Sequence, residues 1–341
     1  MSNSAETQKF SWFARLWPGL TLLITAPLIA ELLPGATRMS SAFVFPIEMV
    51  IWGGGAVFAR YLVRKFRLGW FNLLLLALAL AVAEECLIQQ TSFAPLVIKL
   101  KGVEYARAAG VNYVYLLWAL LYEALFVVMV PVGLCELIYP QRRENGWLSG
   151  FGMAILGVLF VPACYAAWFG WTQIARLKVF HVPAYNLPAN LAIIGAVTIA
   201  VLIALAVGPL RRMLAAPAKA MTPPHPAVLF VLGLAASFVL FSLVVLSFGE
   251  WPDFPPMAAV AIALVLAAAL LLTVPGWMAS PRWGYWHTIA ALYGMVIGNC
   301  GFMFMSFIDA APLDFYGKAI LDGVALLLML WLMVARRPKA G

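Results

Sequence analysis

Apolar runs long enough to cross a bilayer recur along this chain of 341 residues, and they limit its fold more than any other feature. A helix needs about 20 apolar residues to span the ~30 Å hydrocarbon core. Backbone groups in hydrocarbon must bond within their own segment, so helices are expected there. The sequence therefore predicts an all-α, polytopic transmembrane helix bundle of about ten spans, at 16–35, 42–62, 69–90, 111–137, 147–168, 189–210, 226–247, 257–275, 284–307 and 316–335.

The composition agrees with a membrane protein. Hydrophobic residues make up 65% of the chain and charged residues 11%, whereas soluble domains are nearer to about half apolar and about a quarter charged. The mean hydropathy of +0.96 excludes a soluble domain, because too much apolar surface would face water. No cleavage pattern of basic, apolar and small residues precedes the first run, so we expect a retained helix and not a signal peptide.

Basic residues lie in short clusters between the apolar runs, which is the distribution that sets membrane orientation. With the N-terminus inside, fifteen of the 22 Lys and Arg residues fall on the inner side and seven on the outer side. We therefore predict ten spans with both termini cytoplasmic. The net charge of +8 is explained by this orientation, and we predict the lipid bilayer, and no nucleic acid, as a partner.

The predicted organisation is a single integral membrane domain. Its predicted parts are a cytoplasmic N-terminal segment, spans one to five with the acidic residues, spans six to ten, and a cytoplasmic tail, at 1–15, 16–168, 189–335 and 336–341. Two halves of five spans would be inverted relative to each other, as in many transporters. Parity alone supports such a repeat, and the sequence leaves it open, as it does the oligomeric state.

Apart from Glu136, which lies at an inner helix end near Arg142 and Arg143, six acidic residues lie inside the predicted spans. They are Glu31, Glu48, Glu84, Glu85, Glu123 and Asp322. A carboxylate in hydrocarbon costs at least ~2.5–3.5 kcal/mol, so each one marks a functional position or a buried pair. The alternation of the spans places all six in the outer half of the membrane, which predicts an outward-facing acidic site.

Glu123 is the deepest of these acids, about 18 Å below the outer edge of its span. Helical spacing places Asn112, Tyr115, Tyr122 and Glu123 on one face, which should point into the bundle or a water-filled cavity. Such a glutamate suits the role of a coupling carboxylate. The alternative is a hydrogen bond to a neighbouring helix that serves packing alone.

Glu84 and Glu85 are adjacent, and adjacent helical residues point about 100° apart. We expect Glu85 to face the site together with Gln89, one turn further on, and Glu84 to contact a neighbouring helix. In the alternative, both glutamates lie at a wet helix end and reach water.

Three further patterns bear on the site. Glu31 lies between Pro27 and Pro34, which predicts a kinked helix. The glycines at 53–55 predict a close helix contact below Glu48, with a hinge as the alternative. Asp322 follows Lys318 by one turn, which predicts a local ion pair.

Two predicted external segments, 91–110 and 169–188, are long enough to cover a site, or else to form a short helix in the interface. All four cysteines fall in apolar runs, so we expect no disulfide. Neither HExxH nor a cysteine pair occurs, so neither a metal nor a cofactor is predicted.

Residues 84–89, Glu-Glu-Cys-Leu-Ile-Gln, resemble the EExxxR motif of CAAX-type intramembrane proteases. In that family paired glutamates act with histidines from FxxxH and HxxxN motifs, and the site generally opens to the cytosol. This chain lacks both motifs, has Gln89 in place of the arginine, and carries the pair on the predicted outer side. The resemblance implies an intramembrane hydrolase with Glu84 and Glu85 as catalytic residues.

Segments 30–35, 52–56 and 130–134 are similar to a group of bacterial multi-span membrane proteins described only as hypothetical. That similarity covers roughly residues 20–140, implies a bacterial origin, and carries no activity.

The favoured hypothesis is a secondary transporter or permease with Glu123 as the coupling carboxylate. Its proposed ligands for a proton, a cation or a small polar substrate also include Glu31, Glu48, Glu85, Gln89, Asn112 and Tyr115. The second hypothesis is a hydrolase using Glu84 and Glu85, with His181 as the one histidine on their side. The third is a non-catalytic membrane partner protein whose acids form interhelical hydrogen bonds.

Overall fold

A computed structural model describes residues 12–211, 218–304 and 310–335. Ten long helices make up most of these residues, each inside or overlapping one of the predicted runs, and this confirms the all-α class. The helices are α1 (Trp12–Pro27, continued by Leu28–Leu32), α2 (Met39–Lys65), α3 (Trp70–Ile88), α4 (Tyr113–Ile138), α5 (Gly150–Lys178), α6 (Ala189–Val207), α7 (Pro226–Ser247), α8 (Pro256–Met278), α9 (Tyr285–Phe304) and α10 (Pro312–Ala335). The predicted cytoplasmic tail, 336–341, and most of the N-terminal segment lie outside the described residues.

Eight of these helices are long and apolar enough to cross a membrane, namely α2 to α8 and α10. The apolar part of α1, Leu16–Leu32, is shorter, and α9 is not among the eight. By length and composition the chain is a helical, multi-pass membrane protein.

The helices differ in how far their neighbours bury them. In α3, 72% of the most apolar window is buried inside the protein, compared with 11% in α6 and in α8. Apolar helices with such exposed faces need lipid around them. Helix α3 therefore lies in the centre of the bundle, and α6 and α8 lie at its edge.

Glycines let two pairs of helices approach closely. A Cβ atom at Gly53 of α2 would overlap the backbone of Leu23 in α1, and one at Gly294 of α9 would overlap Phe230 in α7. Small residues at such contacts are a common way of joining helices in membranes. The close contact predicted at 53–55 is confirmed.

Five helices contain a wide turn of the π type, in which the N–H of one residue bonds the carbonyl five residues earlier. The turns are Leu28–Leu32, Met49–Gly53, Ala83–Ile88, Glu123–Met129 and Gly170–Ala175. In α3, for example, Gln89 N–H donates to Glu84 O at 2.8 Å. The first turn follows Pro27, where the sequence predicted a kink.

The two segments predicted to be external, 91–110 and 169–188, differ from the prediction. Residues 91–110 form no helix, so an interfacial helix is wrong there. Instead Arg107–Ala108 (β1) pairs with Val111–Asn112 (β2) as a short antiparallel hairpin. Helix α5 runs to Lys178, ten residues beyond the predicted end at 168, because no proline or capping glycine stops it before Pro183.

Arg60 joins α2 to the turn that follows α4. It is buried, pairs with Glu136 at 3.2 Å, and donates to the backbone carbonyls of Arg143 at 2.6 Å and Asn145 at 3.1 Å. Its guanidinium also lies over the ring of Trp147. This network ties together the end of the bundle opposite the clustered acids.

Candidate functional site

Three glutamates from three helices meet inside the bundle. Glu31 of α1, Glu84 of α3 and Glu123 of α4 each bring a carboxylate oxygen within 4.8 Å of the other two. Glu84 and Glu123 are buried, and Glu31 is half-buried. We refer to these three residues as the carboxylate cluster.

Each member of the carboxylate cluster lies on a π turn. Glu31 belongs to Leu28–Leu32, Glu84 to Ala83–Ile88, and Glu123 begins Glu123–Met129. Single π turns inside α-helices occur often at functional sites. The wide turns change the direction of the side chains relative to an ideal helix, and so they help to aim the three acids at one another.

Among the described residues, no basic side chain pairs with the carboxylate cluster. The salt bridges among the described residues include none of its three members. Both carboxylate oxygens of Glu84, and Oε2 of Glu123, are buried without a donor in the described part of the chain.

Glu84 and Glu123 each bring a carboxylate oxygen within 4.8 Å of the other. Two ionised carboxylates offer only acceptors, so they can form a hydrogen bond to each other only if one of them holds a proton. An unpaired charge in a protein interior is too costly to persist. Protons or a metal ion would supply the positive charge that the described residues do not bring to the cluster.

Thr37 connects a fourth acid to the cluster. Its hydroxyl donates to Glu48 Oε1 and lies 3.5 Å from Glu31 Oε2. Glu48 is buried, and its Oε2 has no donor among the described residues. Thr37 thus links the carboxyl groups of α1 and α2, although the sequence pattern does not single it out.

The predicted orientation of Glu84 and Glu85 is wrong. Glu84 joins the carboxylate cluster, whereas Glu85 Oε1 accepts from the backbone N–H of Ser92 at 2.8 Å and from its hydroxyl at 3.0 Å. The prediction assumed ideal α-helical spacing, and the π turn Ala83–Ile88 alters that spacing. Gln89 is half-buried just after this turn.

The predicted polar face of α4 is wrong for Asn112, which precedes the helix. Its backbone is extended, and its side-chain oxygen caps the helix by accepting from Tyr115 N–H at 2.9 Å. Its amide donates to Ser247 O at 3.4 Å. Tyr115 is buried in α4.

Two side chains support the wide turn of α1. Tyr122 Oη donates to Ala30 O at 2.6 Å, and Asn299 Nδ2 donates to Ile29 O at 3.0 Å. Both carbonyls lie immediately before Glu31. These interhelical hydrogen bonds therefore hold the cluster's segment of α1 against α4 and α9.

Helix α10 holds the turn that connects α1 and α2. Asp314 accepts from the backbone N–H of Ser40 at 2.8 Å and from its hydroxyl at 3.0 Å. Lys318 donates to Leu33 O and pairs with Asp322 at 2.9 Å, so the predicted local ion pair is confirmed.

A crevice beside this turn is lined by residues of α1, α10 and the turn itself, including Thr37 and Arg38. Thr37, which lines this crevice, also contacts Glu31 and Glu48.

His181 is exposed in the segment after α5. Among the described His, Cys, Asp and Glu residues, the carboxylate cluster is the group of three whose ligand atoms lie close enough to hold a metal. His181 therefore forms no such group with Glu84 and Glu85 among the described residues. The two glutamates face different partners, and the paired action that the protease resemblance implies stays a prediction.

No family model matches the sequence, and neither a curated protein nor a solved structure matches it. The chemistry of the site is therefore inferred from the chain's own residues. Several buried carboxylates without basic partners are suited to binding protons or hard cations, because both favour oxygen ligands and supply the missing charge.

Proposed function

We propose that this protein is a secondary transporter or permease whose carboxylate cluster binds a cation, or a small polar substrate that carries positive charge. The proposal includes ten spans with both termini cytoplasmic, in a bacterial cytoplasmic membrane. One observation carries it: Glu31, Glu84 and Glu123 meet inside an apolar bundle, and no basic side chain in the described part of the chain pairs with them.

The lack of a basic partner favours reversible binding over a structural role. Acids kept only for packing can be satisfied by fixed donors, as Glu85 is by Ser92. Acids inside membranes more often mark ion pathways and proton relays. An ion that binds and leaves supplies the missing charge only when it is needed, which is the behaviour that transport requires.

The π turns supply a means of movement. Helices α1, α3 and α4 each carry a cluster residue on a turn whose hydrogen bonds differ from those of its neighbours. Such turns are places where helices bend. A small change in one turn would move one carboxylate relative to the other two, and so change the affinity for the ion.

We assign the roles as follows. Glu123, as the deepest acid, is the coupling carboxylate, and Glu84 replaces Glu85 as its partner in α3. Glu48 and Thr37 connect the cluster to the crevice beside the α1–α2 turn. Glu85 is a supporting residue that orders the chain at Ser92.

The test uses the full chain in proteoliposomes that contain a trapped pH-sensitive dye. Imposed gradients of Na⁺, K⁺ or Mg²⁺ are applied, and the resulting movement of protons is recorded. We expect one of these gradients to drive proton flux through the native chain, and Glu123→Gln to abolish the coupling.

Glu250→Gln is the matched control, because Glu250 is an acid in the turn between α7 and α8 that pairs with Lys101. It should retain the native flux. Coupled flux that survives in Glu123→Gln would remove Glu123 from the role. Tolerance of every single Glu→Gln change in the cluster would favour the non-catalytic partner hypothesis.

A further inference from the structure

We infer that the carboxylate cluster is a binding site for a divalent, oxygen-preferring metal ion such as Mg²⁺, Mn²⁺ or Ca²⁺. This site deepens the proposed function. Only the role of the ion, as transported cargo or as coupling ion, rests on that function. The site itself follows from the arrangement of Glu31, Glu84 and Glu123.

The spacing of the oxygens fits a single ion. One oxygen from each glutamate lies within 4.8 Å of the other two. Metal–oxygen distances for Mg²⁺ and Ca²⁺ are about 2.0–2.6 Å, so two ligands of one ion can be up to about 4–5 Å apart. An ion between the three oxygens could therefore contact all of them after small movements of the side chains.

Glu84 provides a second, independent indication of a ligand. Its side chain is fully buried, and neither of its oxygens has a donor among the described residues. Native proteins rarely leave a buried carboxylate without any partner. Since Glu84 is one of the three members of the cluster, an ion bound there would supply the missing interaction.

The charge favours a divalent ion. Three ionised carboxylates carry three negative charges, and one divalent ion offsets two of them in a single binding event. A proton held between Glu84 and Glu123 offsets only one. Since interactions between buried charges are screened weakly, this difference is large inside the bundle.

The surrounding residues hold the ligands in place, as the outer shell of a metal site does. Thr37 lies 3.5 Å from Glu31 Oε2, and Tyr122 holds the carbonyl of Ala30 just before it. Ser92 fixes Glu85, the residue next to Glu84. Thr37 and Tyr122 therefore support Glu31, and Ser92 orders the chain next to Glu84.

The donor set selects the class of metal. Oxygen ligands alone suit Mg²⁺, Ca²⁺ and Mn²⁺, whereas zinc and copper favour sites with imidazole or thiolate. The group of three found among the described residues contains neither histidine nor cysteine. Water would complete the coordination, as is usual for Mg²⁺.

The experiment titrates Mn²⁺ into the purified full chain in lipid nanodiscs and follows free Mn²⁺ by electron paramagnetic resonance. We expect saturable binding of one ion per chain, with competition by Mg²⁺ or Ca²⁺. Glu84→Gln should weaken binding by at least about tenfold, because it removes a ligand charge. Glu250→Gln, outside the cluster, should bind like the native chain.

Glu31→Gln provides a second variant at the half-buried edge of the cluster, in case Glu84→Gln fails to fold. It should weaken Mn²⁺ binding as well. Absence of saturable binding, or equal binding by the native chain and both cluster variants, would overturn the inference.

The result also separates this inference from the proposed function. Mn²⁺ binding without any ion-driven flux would leave the metal site standing and reject transport. Proton-coupled flux without Mn²⁺ binding would reject the metal site and leave transport standing.

Discussion

At the scale of single residues, Glu84 defines the site because its carboxylate is buried and accepts no hydrogen bond from the described residues. A carboxylate that loses water and gains no donor keeps the full cost of desolvation. Glu85, the next residue, is buried equally deeply but accepts two hydrogen bonds from Ser92. The two neighbours thus show the difference between an acid that the fold satisfies and one that has no donor among the described residues.

We therefore predict that Glu84→Gln stabilises the ion-free protein. An amide of the same shape can donate to the carboxylate of Glu123 and removes one of the crowded charges. The gain should be about 1–3 kcal/mol, the usual cost of an unsatisfied buried group. Thermal unfolding in detergent with EDTA measures it, and a lower midpoint than the native chain would contradict the prediction.

The same variant should gain little from added Mn²⁺, whereas the native chain should be stabilised as the ion binds. A variant that is more stable than the native chain in EDTA, but less stabilised by Mn²⁺, would identify a site at which stability is lost in favour of ion binding. Equal stabilisation of the native chain and Glu84→Gln by Mn²⁺ would mean that the ion binds elsewhere.

At the scale of elements, the wide turn in α1 is supported from neighbouring helices. Tyr122 and Asn299 donate to the carbonyls of Ala30 and Ile29, just before Glu31. Unsatisfied carbonyls are costly in a bilayer, so such donors stabilise an irregular turn at membrane depth. They also fix the direction in which Glu31 leaves the helix.

Tyr122→Phe removes one of these donors. We expect a stability loss of about 1 kcal/mol, as for other interhelical hydrogen bonds in membranes, together with weaker Mn²⁺ binding, because Glu31 is then less well held. The measurements are thermal unfolding and the Mn²⁺ titration.

Tyr293→Phe is the control for that variant. Tyr293 also donates to a backbone carbonyl across helices, that of Leu326, at 3.1 Å. Its loss should reduce stability by a similar amount and leave Mn²⁺ binding unchanged. If both variants weaken binding equally, Tyr122 has no special relation to the cluster.

At the scale of the whole molecule, the two ends of the bundle differ. At one end Arg60 binds the turn after α4 through Glu136 and backbone carbonyls. At the other end Asp314 and Lys318 of α10 hold the α1–α2 turn beside the acidic site. The acidic site thus lies toward one end of the bundle. The distribution of basic residues predicts that this end faces outward.

Cysteine labelling tests that orientation. Asn145→Cys and Asp253→Cys place thiols in exposed turns at the predicted inner and outer ends. In intact bacterial cells an impermeant maleimide should label position 253 and should label position 145 only after permeabilisation. The chain with its native cysteines alone gives the background, and the reverse pattern of labelling would invert the proposed topology.

Much of the architecture could be predicted because it depends on local properties of the chain. The apolar runs led to ten helices, the glycines at 53–55 to a close contact with α1, and Lys318 with Asp322 to an ion pair. Each of these needs only the spacing of neighbouring residues along one helix.

The candidate site was predictable only in part. The cost of acids in a bilayer pointed to the right residues, but ideal helical spacing assigned Glu85, and not Glu84, to the site. Asn112 was expected on a helix face and instead caps α4. No spacing pattern indicates a metal site when the three ligands come from three separate helices.

The sequence by itself determined that the chain is a helical membrane protein with acids buried near one end of its spans, because apolar length and charge are properties of each segment alone. Only the tertiary structure decided that Glu31, Glu84 and Glu123 meet while Glu85 turns to Ser92. The physical reason is that the π turns and the contacts among α1, α3 and α4 set the directions of these side chains. Neither can be read from one helix considered alone.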